Sequence, residues 1–121
     1  MSATSPKPAK NQTDRRRRRH PRYQTDFRVT VTNLLGNSYQ KIEGHCRDMS
    51  EAGIGILLAS ELNIGGVVGL TFSLSGSTPT WELRAVARYR CGYHYGFEFL
   101  SITREQQESF RSYLQNLQQL D

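Results

Sequence analysis

A chain of 121 residues, 36% of them hydrophobic, allows one domain with a modest core. No apolar run approaches the ~20 residues of a membrane span, and the opening MSATSPKPAKNQTD lacks the apolar centre of a secretory signal, so a cytoplasmic protein without a membrane span is expected. The net charge of +5 divides unevenly: residues 1–25 hold eight basic residues against Asp14 alone, or +7, and the remainder is −2, which points to an anionic partner met at one edge of the domain.

Residues 1–14 are polar and carry no apolar periodicity, so they are expected to be a disordered tail. Arg15–Arg22 reads RRRRRHPR, and Pro21 disfavours helix at His20, so the run is expected to approach the domain extended. From Phe27 the pattern alternates: Phe27, Val29 and Val31 share one strand face, and Arg28, Thr30 and Thr32 the other. Leu35-Gly36-Asn37-Ser38 predicts a turn, and Ile42, Gly44 and Cys46 one face of a second strand. Asp48–Gly53 predicts a tight turn into a third strand, Ile54–Leu58, whose unbroken apolar run implies deeper burial. Beyond the break at Gly65-Gly66, Val68, Leu70, Phe72 and Leu74 line a fourth strand. Ser75–Pro79 is a loop, and Trp81, Leu83, Ala85 and Ala87 line a fifth strand. After a turn at Gly92, Tyr93, Tyr95, Phe97 and Phe99 line a sixth.

Six short strands with regular turn signals and no helix between them predict a mainly β protein, a small six-stranded antiparallel barrel rather than a parallel α/β sheet. A helix closes the chain. Thr103-Arg104-Glu105-Gln106 fits a capping box, and Phe110, Tyr113, Leu114 and Leu117 recur at helical spacing for packing on the barrel.

Two short motifs stand at the basic edge. Arg18 and Arg22 form R-x-x-x-R, and Asp48-Met49-Ser50-Glu51-Ala52-Gly53 forms D-x-S-x-x-G. Arg15 and Arg19 share the first spacing, but Arg22 directly precedes Tyr23 and the first strand. In this order, ahead of a β-rich chain with Gly96-Phe97-Glu98-Phe99 and a closing helix, the motifs resemble the PilZ domain, a bacterial receptor for cyclic di-GMP. The resemblance implies a split-barrel fold over residues 15–121, with the barrel at about 26–100 and the helix at about 103–118. It also implies that Arg18, Arg22, Asp48, Ser50 and Gly53 contact the ligand. Arg17, just before the first motif, resembles the versions that take an intercalated pair of cyclic di-GMP molecules. A downstream protein partner of unknown identity would read the signal.

The chemistry suits that ligand. Arginine offers phosphate, and the O6/N7 edge of guanine, a planar charged fork. A carboxylate such as Asp48 accepts from guanine N1–H and N2–H₂, Ser50 is a short donor or acceptor, and Gly53 lets backbone approach closely. Arg18 and Arg22 are expected on a segment without fixed structure that wraps the ligand, over a rigid platform at Asp48–Gly53.

The main alternative is a single-stranded nucleic-acid-binding barrel using the arginine tail. The acidic body disfavours it, and Tyr93, Tyr95, Phe97 and Phe99 on one strand face are expected in the core rather than as a stacking platform. A zinc site from His45, Cys46, Cys91 and His94 is also disfavoured, because adjacent strand residues face opposite ways. No nucleophile–base constellation or phosphate-cradling glycine loop is evident, so a binding module is expected rather than an enzyme, with no cofactor beyond its ligand.

Overall fold

Alternation of apolar and polar residues needs a strand with one face on a core, and the first two strands carry it furthest. The computed structural model describes residues 20–35, 37–74, 80–117 and 119–120. In it β1 spans Arg22–Leu35 and β2 spans Ser38–Met49, an antiparallel hairpin whose ends meet at Leu35↔Ser38. β3 (Gly53–Leu57), β4 (Val67–Phe72), β5 (Trp81–Cys91) and β6 (His94–Phe99) follow, then α1 (Arg104–Leu114) and a two-residue β7 (Gln119–Leu120).

The strand order is β2-β3-β6-β5-β4-β1, all antiparallel, and β1 closes the ring by pairing with β2. This is the closed six-stranded barrel with a C-terminal helix that the strand pattern predicts. β7 is appended outside it, with Leu120 opposite Arg22 and Gln119 opposite Tyr23.

The inward residues fill the barrel. Val29, Val31, Cys46, Ile56, Ala85, Ala87 and Tyr95 are fully buried, and Phe97 and Phe99 nearly so. β3 is buried on both faces, which accounts for its unbroken apolar run. The helix covers one end. Thr103 accepts from the Gln106 N–H and donates its own N–H to Gln106 Oε1, each at 3.0 Å, so the capping box is complete. Phe110 and Leu114 point down, and the Phe110 ring lies 5.3 Å from Trp81, 5.7 Å from Phe99 and 6.2 Å from Phe72. Truncating such a fully buried ring to alanine costs about 3–5 kcal/mol, enough to release the helix from the barrel.

Several elements depart from expectation. β1 begins at Arg22, ahead of the alternation at Phe27, because its first residues pair with β2 and β7. The helix stops at Leu114, and Leu117 packs on the core from the segment beyond it. Tyr93 does not share the inward face of Tyr95, Phe97 and Phe99: it sits in the turn after Gly92 and is 67% exposed. The tail, Met1–Asp14, and the loop Ser75–Pro79 lie outside the described residues. No helix among the described residues is long and apolar enough to cross a membrane.

Candidate functional site

The turn between β2 and β3 is built by its own side chains. The Ser50 N–H donates to the Gly53 carbonyl at 2.9 Å, and Ser50 Oγ accepts from the N–H groups of Ala52 and Gly53 at 3.1 and 3.2 Å. Ser50 is thus nearly buried and holds the turn closed. Gly53 is fixed by space: a Cβ there would lie 2.4 Å from the Phe97 carbonyl oxygen of the neighbouring β6. Between them Glu51 turns away toward α1. It accepts from Arg111 Nε and Nη2 at 3.1 and 3.0 Å and from Gln107 Nε2 at 3.4 Å, and His20 Nδ1 stands 3.8 Å off. The Arg111 hydrogen bonds hold the Glu51 carboxyl below its ordinary range, against a smaller opposing effect of burial.

Three register irregularities surround this turn. They fall between Gln24 and Phe27 of β1, between Cys46 and Asp48 of β2, and between Ala87 and Tyr89 of β5. A bulge bends its strand and re-aims the side chains beyond it. Here the residues at or just past the bulges converge. Arg22 Nη1 donates to Tyr89 OH at 2.9 Å and to Asp48 Oδ1 at 3.4 Å, with its guanidinium carbon 5.9 Å from the centre of the Tyr89 ring. Asp48 Oδ2 meets His94 Nε2 at 3.1 Å. The Tyr89 and His94 rings stack, 6.1 Å apart and 24° from parallel.

Glycines make the room. A Cβ on Gly55 would come within 2.7 Å of both Asp48 carboxylate oxygens and of His94 Nε2, so only glycine lets that pair meet above β3. The Tyr89 ring likewise lies over Gly96, where a Cβ would stand 2.1 Å from Tyr89 Cε2. The result is a cavity of about 390 Å³ with Arg22, Ser50, Gly53, Arg88, Tyr89 and Phe97 in its walls and His20 at its edge. Arg88 is held to its rim by a 2.6 Å bond from Nε to Glu98 Oε1. Asp48 stands behind this cavity and opens on a shallower depression with Gln24, Arg47, His94 and Leu120.

Of the residues singled out in the sequence, Arg22, Asp48, Ser50 and Gly53 come together here. Arg17 and Arg18 lie outside the described residues. Arg22 is not on a segment without fixed structure: it is the first residue of β1, paired to Leu120 and bonded through its side chain. Tyr89, Arg88 and His94 were missed as site residues. The one signal for Tyr89 was that the odd-numbered run Trp81, Leu83, Ala85, Ala87 continues onto it. Of the four zinc candidates, Cys91 and His94 are register partners on β5 and β6, and His45 and Cys46 are neighbours on β2. His45 pairs with Asp26, His94 with Asp48, Cys91 is exposed, and Cys46 is buried inside the barrel against Thr25 Oγ1 at 2.9 Å. Burial pushes the Cys46 thiol up to about 12.

An arginine fork above an aromatic ring, beside a turn that brings backbone to the surface, can take an anionic group and a flat heterocycle together. The family model described as "PilZ domain" matches residues 16–116. Among solved structures, the PilZ domain with c-di-GMP of YcgR from Escherichia coli aligns with a TM-score of 0.67 at 20% identity, covering 84% of this chain and 91% of that one. The Bacillus subtilis inhibitor of motility (MotI/DgrA) aligns with a TM-score of 0.63 at 20% identity, over 81% of this chain and 49% of that one. The PilZ domain of CeSA from a cellulose-synthesizing bacterium aligns at 0.58 and 19% identity, over 77% and 93%. At these identities the likeness is one of fold. No curated protein matches the sequence significantly.

Proposed function

This chain belongs to the PilZ domain family, and on that premise we propose that it is a receptor for cyclic di-GMP. The observation that carries the proposal is the meeting of Arg22, the Ser50–Gly53 turn and the Tyr89 ring on one cavity. A cyclic dinucleotide presents two phosphates and two guanines. Arg22 serves a phosphate or the O6/N7 edge of a guanine, and the Tyr89 ring offers a stacking face beside it. Asp48 fixes the Arg22 guanidinium, and on the side of the neighbouring depression its carboxylate is offered to guanine N1–H and N2–H₂ of a ligand that reaches past Arg22. Ser50 and Gly53 hold the turn against the ligand.

Arg17 and Arg18 complete the charge. They stand four and five residues before Arg22 in sequence, and Arg17 gives a second, intercalated cyclic di-GMP a further partner. The role is recognition rather than catalysis, in keeping with the PilZ domains that the chain resembles, and the Ser50 hydroxyl oxygen accepts from the two backbone N–H groups that close the turn. The bound state is relayed to a protein partner through His20, Glu51 and Arg111, which join the arm and the turn to α1.

Calorimetric titration with cyclic di-GMP against GMP, cyclic di-AMP and a single-stranded oligonucleotide tests the reading. Selective binding of cyclic di-GMP with an endpoint near two per chain is expected, and Arg17→Leu should lower that endpoint toward one. An oligonucleotide that binds more tightly at physiological salt overturns the proposal. An endpoint of one in the wild-type protein removes the intercalated pair.

A further inference from the structure

β2 outruns the strand beside it. Its pairing with β3 extends only from His45↔Leu57 to Met49↔Ile54, so Tyr39–Gly44 have β1 on one side and, among the described residues, no strand on the other. Alternate backbone N–H and C=O groups of that edge point outward, where they template the addition of another strand.

Edge strands are commonly protected by charge, and a lone lysine repels a second copy of itself. The charges on this edge do the reverse. Lys41 and Glu43 are exposed on the outer face, two residues apart, on either side of the buried Ile42. If two such edges meet antiparallel about Ile42, Lys41 of each copy stands opposite Glu43 of the other. The Lys41 side chain has no hydrogen bond or ion pair among the described residues. One Glu43 carboxylate oxygen accepts from Thr30 Oγ1 at 2.9 Å, which leaves the other to a partner.

The ends of the edge are complementary too. Tyr39, near the hairpin tip, is 72% exposed. Where β3 stops, an apolar groove of about 400 Å³ opens between Gly44, Leu57, Ala59 and Tyr93. Antiparallel pairing delivers Tyr39 of one copy to the mouth of the groove on the other.

The geometry points to a homodimer in which β2 of two copies joins edge to edge, antiparallel about Ile42, with two Lys41–Glu43 pairs across the two-fold axis. The interface is isologous, so it closes at two copies and does not propagate. It lies at the opposite end of β2 from Asp48 and does not depend on ligand.

Sedimentation equilibrium between about 10 and 500 μM, the span in which so small an interface assembles, reads the association directly. Wild-type protein should dimerise. Lys41→Glu and Glu43→Lys each turn two attractive pairs into two repulsive ones and should weaken association roughly ten- to thirtyfold. An equimolar mixture of the two variants should recover it as a heterodimer, and so should the double charge exchange in one chain. Tyr39→Ala should weaken it with the charges intact. Unchanged circular dichroism confirms that the exposed substitutions leave the fold whole. A wild-type monomer throughout that range overturns the proposal. So does a dimer indifferent to the single exchanges, or a mixture that fails to recover.

Discussion

β1 and β2 run the length of the barrel together, and their two ends behave differently. From Phe27↔Cys46 to Leu35↔Ser38 the register is unbroken, and the hairpin leaves Tyr39, Lys41 and Glu43 to solvent. At the other end both strands are bulged, and there side chains from β1, β2, β5 and β6 interlock. A regular ladder sends side chains up and down in strict turn and cannot aim three of them at one point. The broken ladder can, so the binding chemistry collects where the pairing is irregular.

Glycine substitutions should break the comparison most forcefully. Gly53→Ala drives a Cβ against the Phe97 carbonyl, backbone on backbone, and should lose about 3 kcal/mol in chemical denaturation. Gly69 lies in the regular half, opposite Thr32, and a Cβ there meets only ordinary contact at 3.7 Å. Gly69→Ala should gain about 0.5 kcal/mol by restricting the unfolded chain. Equal effects at the two positions would mean that the ends are not differently packed.

Next in size is the loss of a charged partner. Asp48→Ala leaves Arg22 and His94 without their shared carboxylate. Affinity for cyclic di-GMP should fall ten- to a hundredfold by calorimetry. Lys41→Glu, at the regular end, should leave that affinity unchanged.

Gly96→Ala sharpens the contrast within the irregular end. Its Cβ collides with a ring at the surface rather than with backbone, so Tyr89 swings aside and the fold survives. Affinity should drop by about 1 kcal/mol, roughly fivefold. Tyr89→Ala should show the same loss, and the two substitutions together no more than either alone.

The smallest effect is one of pH. The carboxyl of Glu51 titrates lower in the folded protein than in the unfolded chain, so its contribution is present above the ordinary glutamate range and is lost as pH falls through the lowered value. Thermal denaturation of Glu51→Gln against wild type should show a modest difference at neutral pH that vanishes in acid. A difference that grows in acid would reverse the assignment.

Much of the regular half could be read in the sequence, because alternation is a local signal: Val29, Val31, Leu70, Leu83 and Ala85 all face inward as their spacing demands. The capping box was equally local. The irregular half was legible only as motifs. Asp48, Ser50 and Gly53 were singled out as ligand contacts, and the plainer reading of such a motif, a turn in which Asp or Ser bonds nearby backbone, holds for Ser50. Arg22 meets Tyr89 across 67 residues of sequence, and Asp48 meets His94 across 46. Those meetings are made by bulges, which shift a strand by one residue and leave no periodic trace. β7 was invisible for a different reason, since two residues are too few for any period.

Cys46 gives the molecule a built-in gauge of its own opening. The chain holds two cysteines, Cys91 exposed and Cys46 sealed between β1 and β2 beside the first bulge. With its thiol pushed up to about 12, Cys46 is protonated at neutral pH and shielded from alkylating reagents. Cys91 should react at once, and Cys46 only in the moments when the two strands part. The slow second modification, followed by mass spectrometry under native conditions, therefore clocks the excursions of the closed barrel toward an open sheet. A ligand that bridges Arg22 and the Ser50–Gly53 turn should lengthen the interval between them.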